Sequence, residues 1–267
     1  MDNNKGMGAL KSPKDLRNYK INKVYSSISL PKEFILNHSH IKNQDVINSC
    51  VAHSISEIVE SKNNINYSTG WIYGYRPEGY YQGEGMYISE ALKTVQKLGC
   101  VENNDFNVNI EMRKAKDLVD EDLDRLTNLA QKKKISAYAR LRNIKEIKEA
   151  LYIHKTPIIA AIDIDENGLV LDDNYIAQLP KNPAGGHAIV CYGWNETGLL
   201  IQNSWGGAWG NKGTFILPYE YPVEEAWLIE IEEDEKETVK DEKPLIVKPN
   251  CFLLRELIMN MLKKLRK

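Results

Sequence analysis

Residues 43–54 read Asn-Gln-Asp-Val-Ile-Asn-Ser-Cys-Val-Ala-His-Ser, and the prediction of the fold begins with this stretch. Beyond Cys50, apolar residues recur at the spacing of one helix face, namely at Val51, Ile55, Ile58 and Val59. The pattern predicts a helix over residues 49–62, with Asn48 or Ser49 as its N-cap. Cys50 then lies in the first helical turn, where free backbone N–H groups and the helix dipole favour a thiolate.

Outward from this helix, the first half of the chain predicts more helices and the second half predicts strands. The predicted helices span 49–62, 89–98, 113–134 and 143–154, and residues 66–87 are predicted to form a loop. The predicted strands span 157–163, 187–194, 199–203 and 213–217. Helices followed by strands are typical of an α+β fold, here with two lobes and a cleft between them.

Three further residues complete the set of side chains that thiol catalysis needs. His187 follows two glycines at the start of an apolar run, and a neutral imidazole beside a thiol can accept its proton. Asn203 offers an amide oxygen that could orient this imidazole. Gln44 stands six residues before Cys50, and its amide could join the Cys50 backbone N–H as an oxyanion donor. Each residue alone also fits an ordinary role: a buried cysteine, a core histidine, a turn asparagine and a solvated glutamine.

In order and spacing these segments resemble the papain family of cysteine peptidases. The resemblance rests on residues 43–54, on Gly186-His187-Ala188, and on residues 202–213, Gln-Asn-Ser-Trp-Gly-Gly-Ala-Trp-Gly-Asn-Lys-Gly. His187 lies 187 − 50 = 137 residues after Cys50, within the family's usual range. The likeness covers roughly residues 30–230. It implies a papain-like fold, with a helical left lobe that carries the nucleophile helix and a right lobe like an antiparallel β-barrel.

The resemblance also implies which residues contact substrate. Around Gly85 the sequence resembles the glycine-bearing loop that lines the non-prime side of the cleft, so the Gly85 backbone would pair with a substrate strand. Met86 would line the second specificity pocket. Gly186 would let a substrate backbone come close. Trp205 would cover the histidine–asparagine hydrogen bond and exclude water, and Trp209 would flank the leaving-group side.

The chain departs from the secreted family members around its nucleophile. Ile47 stands where those members have a second cysteine, Val51 replaces a tryptophan, and His53 replaces an aromatic residue. The family's disulfides are therefore not expected, and the pattern is closer to intracellular bacterial relatives. His53 shares a helix face with Cys50, which raises the idea of a second base or ligand. We expect it instead to fill the space of the missing aromatic side chain.

Composition narrows the class of protein. The chain has 267 residues, 42% of them hydrophobic, and a net charge of −2, which argues against a nucleic-acid-binding protein. The N-terminus shows no secretory signal, and no apolar run is long enough to span a membrane. The four cysteines are scattered without a CxxC pair. We therefore expect a reduced, cytoplasmic protein without a metal or organic cofactor.

The predicted organisation is an N-terminal extension (1–30), a papain-like catalytic domain (31–230), an acidic linker (231–250) and a basic amphipathic C-terminal helix (251–267). The C-terminal helix could contact a membrane surface or a partner, but docking on its own domain is favoured. The segment before the catalytic domain lacks a strong helical pattern and is too short for the long inhibitory prosegment of secreted members.

The catalytic set predicts acyl transfer through a thioester on Cys50, with His187 as the base. If water takes the acyl group, the enzyme is a peptidase of narrow specificity, which is the favoured interpretation. If an amine takes it, the enzyme is an amide-forming acyltransferase. For this second interpretation, the chain is similar to the cysteine protease homologue that forms amide bonds in closthioamide-type biosynthesis. That resemblance implies an acyl-thioester substrate and an acyl carrier protein as partner. A catalytically inactive module that binds peptides in the cleft is the third, least favoured, interpretation.

Overall fold

The computed structural model describes residues 6–13, 28–76, 85–107 and 115–231. Its helices are α1 (Cys50–Asn63), α2 (Thr69–Gly74), α3 (Ile88–Leu98), α4 (Ala115–Glu121), α5 (Leu123–Ala130) and α6 (Ile144–His154). Its strands are β1 (Ala9–Leu10), β2 (Phe34–Ile35), β3 (Met86–Tyr87), β4 (Ile135–Leu141), β5 (Ile158–Asp165), β6 (Pro183–Trp194), β7 (Gly198–Gln202), β8 (Thr214–Pro218) and β9 (Val223–Ile231).

The chain divides into two compact units, Met1–Glu232 and Glu233–Lys267, and the second lies outside the described residues. The predicted C-terminal helix and nearly all of the acidic linker fall there. The domain boundaries predicted from the sequence therefore stay a prediction. Among the helices in the described ranges, none is both long enough and apolar enough to cross a membrane.

Helix α1 confirms the prediction made from residues 43–54. Ser49 is its N-cap residue, and the helix ends where Asn64 adopts a left-handed conformation with φ of 61°. The sequence predicted one apolar face, but every residue from Cys50 to Glu60 is buried. The reason is that α1 packs against β6 on one side and against α2 and α3 on the other. Helix α1 thus lies at the centre of the fold.

The large sheet has the strand order β4-β9-β5-β6-β7-β8, its neighbours are antiparallel, and β2 adds to β6. Its side chains alternate between two cores, as the strand period of two requires. In β5, Ile159 and Ala161 join the core around α1, whereas Ile158, Ala160 and Ile162 join a second core with α6. One core on each side of the sheet confirms the predicted α+β, two-lobed architecture.

Several elements differ from the sequence prediction. The predicted loop 66–87 contains α2, because the Ser68 side chain caps it by accepting the Trp71 N–H. The predicted helix 113–134 is two helices, α4 and α5, which are interrupted at Asp122. Strands β4 and β9 were not predicted, because Ser136 and Arg140 interrupt the apolar pattern of β4 and three glutamates interrupt that of β9. Strand β6 begins at Pro183, so His187 lies inside the strand and not at its start.

Candidate active site

Cys50 is the first residue of α1 and has no exposed surface. Burial raises the pKa of its thiol, because the thiolate loses hydration. The backbone N–H groups of Ala188 and Gly8 oppose this and lower the pKa, as do those of Val51 and of Cys50 itself. Ala188 is the neighbour of His187, so the Cys50 sulfur lies against β6 beside the histidine.

His187 is fully buried, and its Nε2 lies 2.8 Å from the Asn203 Oδ1. The same oxygen accepts the Ser204 backbone N–H at 2.9 Å, so it must be the acceptor in both contacts. Nε2 therefore carries the ring proton, and Nδ1 is the free base. Nδ1 has no hydrogen-bond partner within the described ranges. Burial lowers the pKa of His187 to about 4, although the Asn203 contact raises it. The imidazole is thus neutral, and burial makes it a weaker base than an exposed histidine.

Two tryptophans shield this imidazole. The Trp205 ring stacks on His187 with centroids 4.5 Å apart and an angle of 28° between the planes. Trp209 meets Trp205 edge-on at 4.9 Å and Phe215 of β8 at 5.5 Å. Because Phe215 belongs to the sheet, the aromatic row is supported by a rigid element. The arrangement restricts water around the His187–Asn203 hydrogen bond, which strengthens that bond.

Gln44 lies in the same buried region and its amide is held at both ends. Its Oε1 accepts the Ser204 hydroxyl at 2.6 Å, and its Nε2 donates to the Ile47 carbonyl at 2.8 Å. The remaining N–H points to the carbonyl oxygen of Gly6, 3.0 Å away. Sequence reasoning selected Gln44 but missed Ser204, whose place directly after Asn203 was the only available signal. Ser204 touches both the glutamine and, through its N–H, the asparagine.

Residues 6–13, called here the cleft segment, run through the space between Cys50 and β3. The Gly8 carbonyl accepts the Met86 N–H at 2.7 Å, and β1 pairs in parallel with β3. An added Cβ at Gly85 would lie 2.9 Å from the Gly8 oxygen, and one at Gly186 would lie 2.1 Å from the Ala9 oxygen. Three of the five predicted substrate contacts, Gly85, Met86 and Gly186, thus adjoin one peptide backbone, which belongs to this chain. The sequence had given no expectation of such a segment in the cleft.

The site as it stands is closed and uncharged. Cys50 and His187 are both buried, and burial pushes the pKa of each towards its neutral form. Because Nδ1 is unpartnered, no hydrogen bond joins these two described residues. The predicted thiolate–imidazolium pair therefore stays a prediction for the open cleft. In the described part of the chain, no group of three or more His, Cys, Asp or Glu side chains could hold a metal ion.

His53 lies one turn after Cys50 but faces its own helix. Its Nδ1 lies 3.0 Å from the Ser49 carbonyl oxygen and donates to it, so the ring is anchored within the first turn. Burial lowers the pKa of His53 to about 4, and the Ser49 contact opposes this. A neutral, buried and internally bonded ring fits the packing role expected from the sequence.

Comparison with known proteins identifies the family to which this chain belongs. The model of the papain family of cysteine proteases matches residues 32–222, which is more than half of the chain. The chain belongs to the papain family. Among solved structures, xylellain, a cysteine protease from Xylella fastidiosa, superposes with a TM-score of 0.72 at 22% identity over 86% of this chain and 97% of that one. The procathepsin B of Trypanosoma congolense gives a TM-score of 0.64 at 13% identity, covering 86% and 88%. At these identities the likeness supports the fold alone.

Curated relatives match a shorter stretch of this papain-family chain. An uncharacterised peptidase C1-like protein of Acanthamoeba polyphaga mimivirus is 35% identical over 89 residues, 31% of this chain and 28% of the relative. A gut-specific cysteine proteinase of Caenorhabditis elegans is 34% identical over 87 residues, 31% of this chain and 26% of the relative. The match thus spans less than a third of the length of these relatives.

Proposed function

We propose that this papain-family chain is a cysteine peptidase that acts through an acyl thioester on Cys50. One observation carries the proposal. The Asn203 oxygen fixes the His187 tautomer, so that Nδ1 carries no proton and has no hydrogen-bond partner among the described residues. This nitrogen is buried, and the next residue in the strand, Ala188, contacts the Cys50 sulfur through its backbone N–H. An acceptor in that place has an evident use, since a thiol must lose its proton before it attacks a carbonyl.

The same residues supply the remaining steps. His187 Nδ1 takes the thiol proton, and the Cys50 thiolate attacks the substrate carbonyl carbon. The substrate oxygen, which becomes negative, accepts hydrogen bonds from the Cys50 backbone N–H and from Gln44 Nε2. In the structure, without substrate, this Nε2 donates to the Gly6 carbonyl. Protonated His187 then gives its proton to the departing amine, and the carbon–nitrogen bond breaks. Water, deprotonated by His187, finally attacks the thioester and releases Cys50.

We propose a peptide substrate and a narrow specificity. A peptide would pair with the Met86 N–H as the Gly8 carbonyl does. The passage beside Cys50 is tight, because a Cβ placed at Gly8 would lie 2.0 Å from the Asn48 carbonyl oxygen. A cleft of this width admits few side chains beside the nucleophile, which supports cleavage of a limited set of sequences.

An amide-forming acyltransferase is the second candidate, and it shares the first half-reaction. The observation that favours it is the fully buried imidazole beneath Trp205, because a site that excludes water gives an amine acceptor an advantage over hydrolysis. On this alternative the acyl group would arrive as a thioester, with an acyl carrier protein as the partner. The two candidates differ only in which molecule attacks the Cys50 thioester.

One assay tests both candidates. The chain is incubated with a library of fluorogenic peptide amides and, separately, with peptide thioesters plus a primary amine, and products are identified by mass. We expect peptide hydrolysis that Cys50→Ala abolishes, whereas Cys100→Ala, which also removes a buried cysteine, retains it. An excess of amide products over acid products would favour the acyltransferase over the peptidase. Turnover that persists in Cys50→Ala, or no turnover of any substrate, would contradict both.

We further propose that the protein works in the cytoplasm. The cysteines in the described residues, Cys50, Cys100 and Cys191, are all free and buried, which suits a reducing compartment. Fractionation of the source cells followed by detection with an antibody tests this. Recovery in the extracellular fraction would contradict the proposal.

A further inference from the structure

We propose that Glu57 is a positioning residue, which holds the oxyanion donor Gln44 in place only while its own carboxyl group is protonated. This role rests on the proposed function, because it needs an oxyanion to form beside Cys50. Glu57 lies two turns after Cys50 in α1 and is only 1% exposed. Neither of its carboxyl oxygens has a hydrogen-bond partner among the described residues. No catalytic step uses this carboxyl group, so its burial in the central helix needs another explanation.

The charged side chains that act on Glu57 are Lys42 and Glu60, and both are almost fully buried. The Lys42 ammonium lies 3.1 Å from Glu60 Oε2, and His40 contacts the other Glu60 oxygen through its Nδ1. The Lys42 charge favours an ionised Glu57, whereas the Glu60 charge disfavours it. The cluster thus sets one buried lysine against two buried carboxyl groups, one of which Lys42 already pairs.

The contacts around Glu57 fit its neutral form. Burial disfavours the carboxylate and raises the pKa of Glu57 to about 8. The Lys42 backbone N–H and the Gln202 side chain lie near enough to lower this pKa, yet neither forms a hydrogen bond with the carboxyl group. The Lys42 ammonium is engaged elsewhere, because it also donates to Asn66 Oδ1 at 2.6 Å. A carboxylate at this position would therefore lack the donors that a buried charge requires.

Residues 38–44, called here the Gln44 segment, connect this cluster to the active site. The Lys42 carbonyl accepts the Gly206 N–H at 3.0 Å, and the Gln44 N–H donates to the Ser204 carbonyl at 2.8 Å. Lys42 therefore contacts α1 with its side chain and the loop after Asn203 with its backbone. Gln44 follows only two residues later, so a displacement of Lys42 is transmitted to the oxyanion donor.

Gln202 makes a second connection between the same elements. Its Nε2 donates to the Ser39 hydroxyl at 3.0 Å and to the His40 carbonyl at 3.1 Å. Its side chain is also the one that approaches Glu57. The residue after Gln202 is Asn203, the partner of the catalytic histidine. Glu57 is thus the point of α1 that faces both anchors of the Gln44 segment.

Loss of the Glu57 proton would add a second negative charge to the buried cluster. Glu57 and Glu60 are three residues apart on one helix, so the two carboxylates would repel each other across a medium of low dielectric constant. Lys42 and Gln202 would be drawn towards Glu57, and the Gln44 segment would move with them. We expect kcat to fall and KM to change little, because the oxyanion contact forms mainly in the transition state.

The experiment measures kcat and KM for peptide hydrolysis at pH 7 and pH 9 in three full-length chains, unmodified, Glu57→Gln and Glu149→Gln. Glutamine matches the shape of a protonated glutamic acid but cannot ionise. Glu149 is the matched control, because it is a helix glutamate with 5% exposure that lies near Lys145 in a different helix, α6. An acid that must stay protonated leaves about one tenth of the activity one pH unit above its pKa. The ratio of kcat at pH 7 to kcat at pH 9 should therefore be about tenfold larger in the unmodified and Glu149→Gln chains than in Glu57→Gln.

Hydrogen exchange followed by mass spectrometry detects the same movement without a substrate. After correction for the intrinsic rise of exchange with pH, the protection of residues 38–44 should fall about tenfold from pH 7 to pH 9 in the unmodified chain. It should stay constant in Glu57→Gln, and the protection of β5 should stay constant in both. Glu57→Met, which cannot ionise either, should behave as Glu57→Gln does, and it replaces that variant if glutamine prevents folding.

The two measurements separate the possible outcomes. The same pH dependence of kcat in the unmodified and Glu57→Gln chains, or a changed kcat profile with unchanged protection of residues 38–44, would overturn the positioning role. Protection that falls in the unmodified chain alone, with no hydrolysis of any peptide at either pH, would uphold the link between Glu57 and the Gln44 segment. That last result would contradict the proposed peptidase activity instead.

Discussion

Removing the Ser204 hydroxyl should slow catalysis without touching any catalytic group. The hydroxyl donates to Gln44 Oε1 at 2.6 Å, and both residues are almost fully buried. In Ser204→Ala that oxygen loses its donor. An unsatisfied buried polar group costs about 1–3 kcal/mol, so the amide is expected to rotate away from its catalytic orientation. If that cost appears in the barrier, kcat falls about 5- to 150-fold.

The loss has a ceiling, since Ser204 acts only through Gln44. Removal of one oxyanion donor costs about 10²- to 10³-fold in kcat, so Ser204→Ala must be milder than Gln44→Ala. KM should change little, because the contact forms mainly in the transition state.

A double-mutant cycle with steady-state kinetics on a peptide substrate tests the reasoning. In the Gln44→Ala background, Ser204→Ala should have almost no further effect on kcat, because the amide that it positions is already absent. Additive losses in kcat, or a kcat for Ser204→Ala equal to that of the unmodified chain, would refute the positioning role. Circular dichroism and thermal unfolding of each variant exclude loss of the folded protein as the cause.

Three further outcomes are expected. Asn203→Ala removes the acceptor of the His187 N–H and should lower kcat/KM about 5- to 150-fold. If the rate and its pH dependence stay unchanged, the assigned tautomer is contradicted. His53→Phe should keep most of the activity, since that ring bonds only to its own helix turn in the contacts seen, and a loss as severe as that of His187→Ala would make it a second base. Burial raises the pKa of Glu57 to about 8 from an ordinary 4.5, and the charge of Lys42 opposes this increase. The folded state therefore binds more protons than the unfolded state between pH 4.5 and about pH 8. The unfolding free energy should therefore fall by up to about 1.4 kcal/mol per pH unit as pH rises through this window. Glu57→Gln should remove that slope in denaturant titrations. The same slope in both proteins would contradict the role of Glu57.

The parts of the fold that local patterns control were predictable. Helix α1 begins at Cys50, where the apolar spacing starts, although the Ser49 side chain makes no cap hydrogen bond. Helix α3 stops at Gly99, whose φ of 95° suits glycine. The apolar runs that became β5 to β8 are nearly continuous, as expected for strands buried on both faces. The order of the motifs around Cys50, His187 and Asn203 then predicted the family.

What depends on tertiary contact was not predictable. The burial of α1 on every side follows from its packing against β6 and against α2 and α3, which no helical period reveals. Strand β9 is interrupted by acidic residues, one of which, Glu225, is buried only because Ser12 and Trp227 donate to it. The cleft segment was overlooked for the same reason. Its glycines look like those of any polar lead-in until the Asn48 carbonyl oxygen is brought within 2.0 Å of the missing Cβ at Gly8.

The most direct test of the central claim is to trap the acyl group itself. The full chain, with and without His187→Ala, is mixed with a peptide nitrophenyl ester at pH 7, quenched in acid within the first turnover and digested for mass mapping. The account predicts one acyl group on the peptide that contains Cys50, and none on that peptide when His187 is replaced. Turnover of the ester with no acyl group on Cys50, or with the group on Cys100, Cys191 or Cys251, would contradict it.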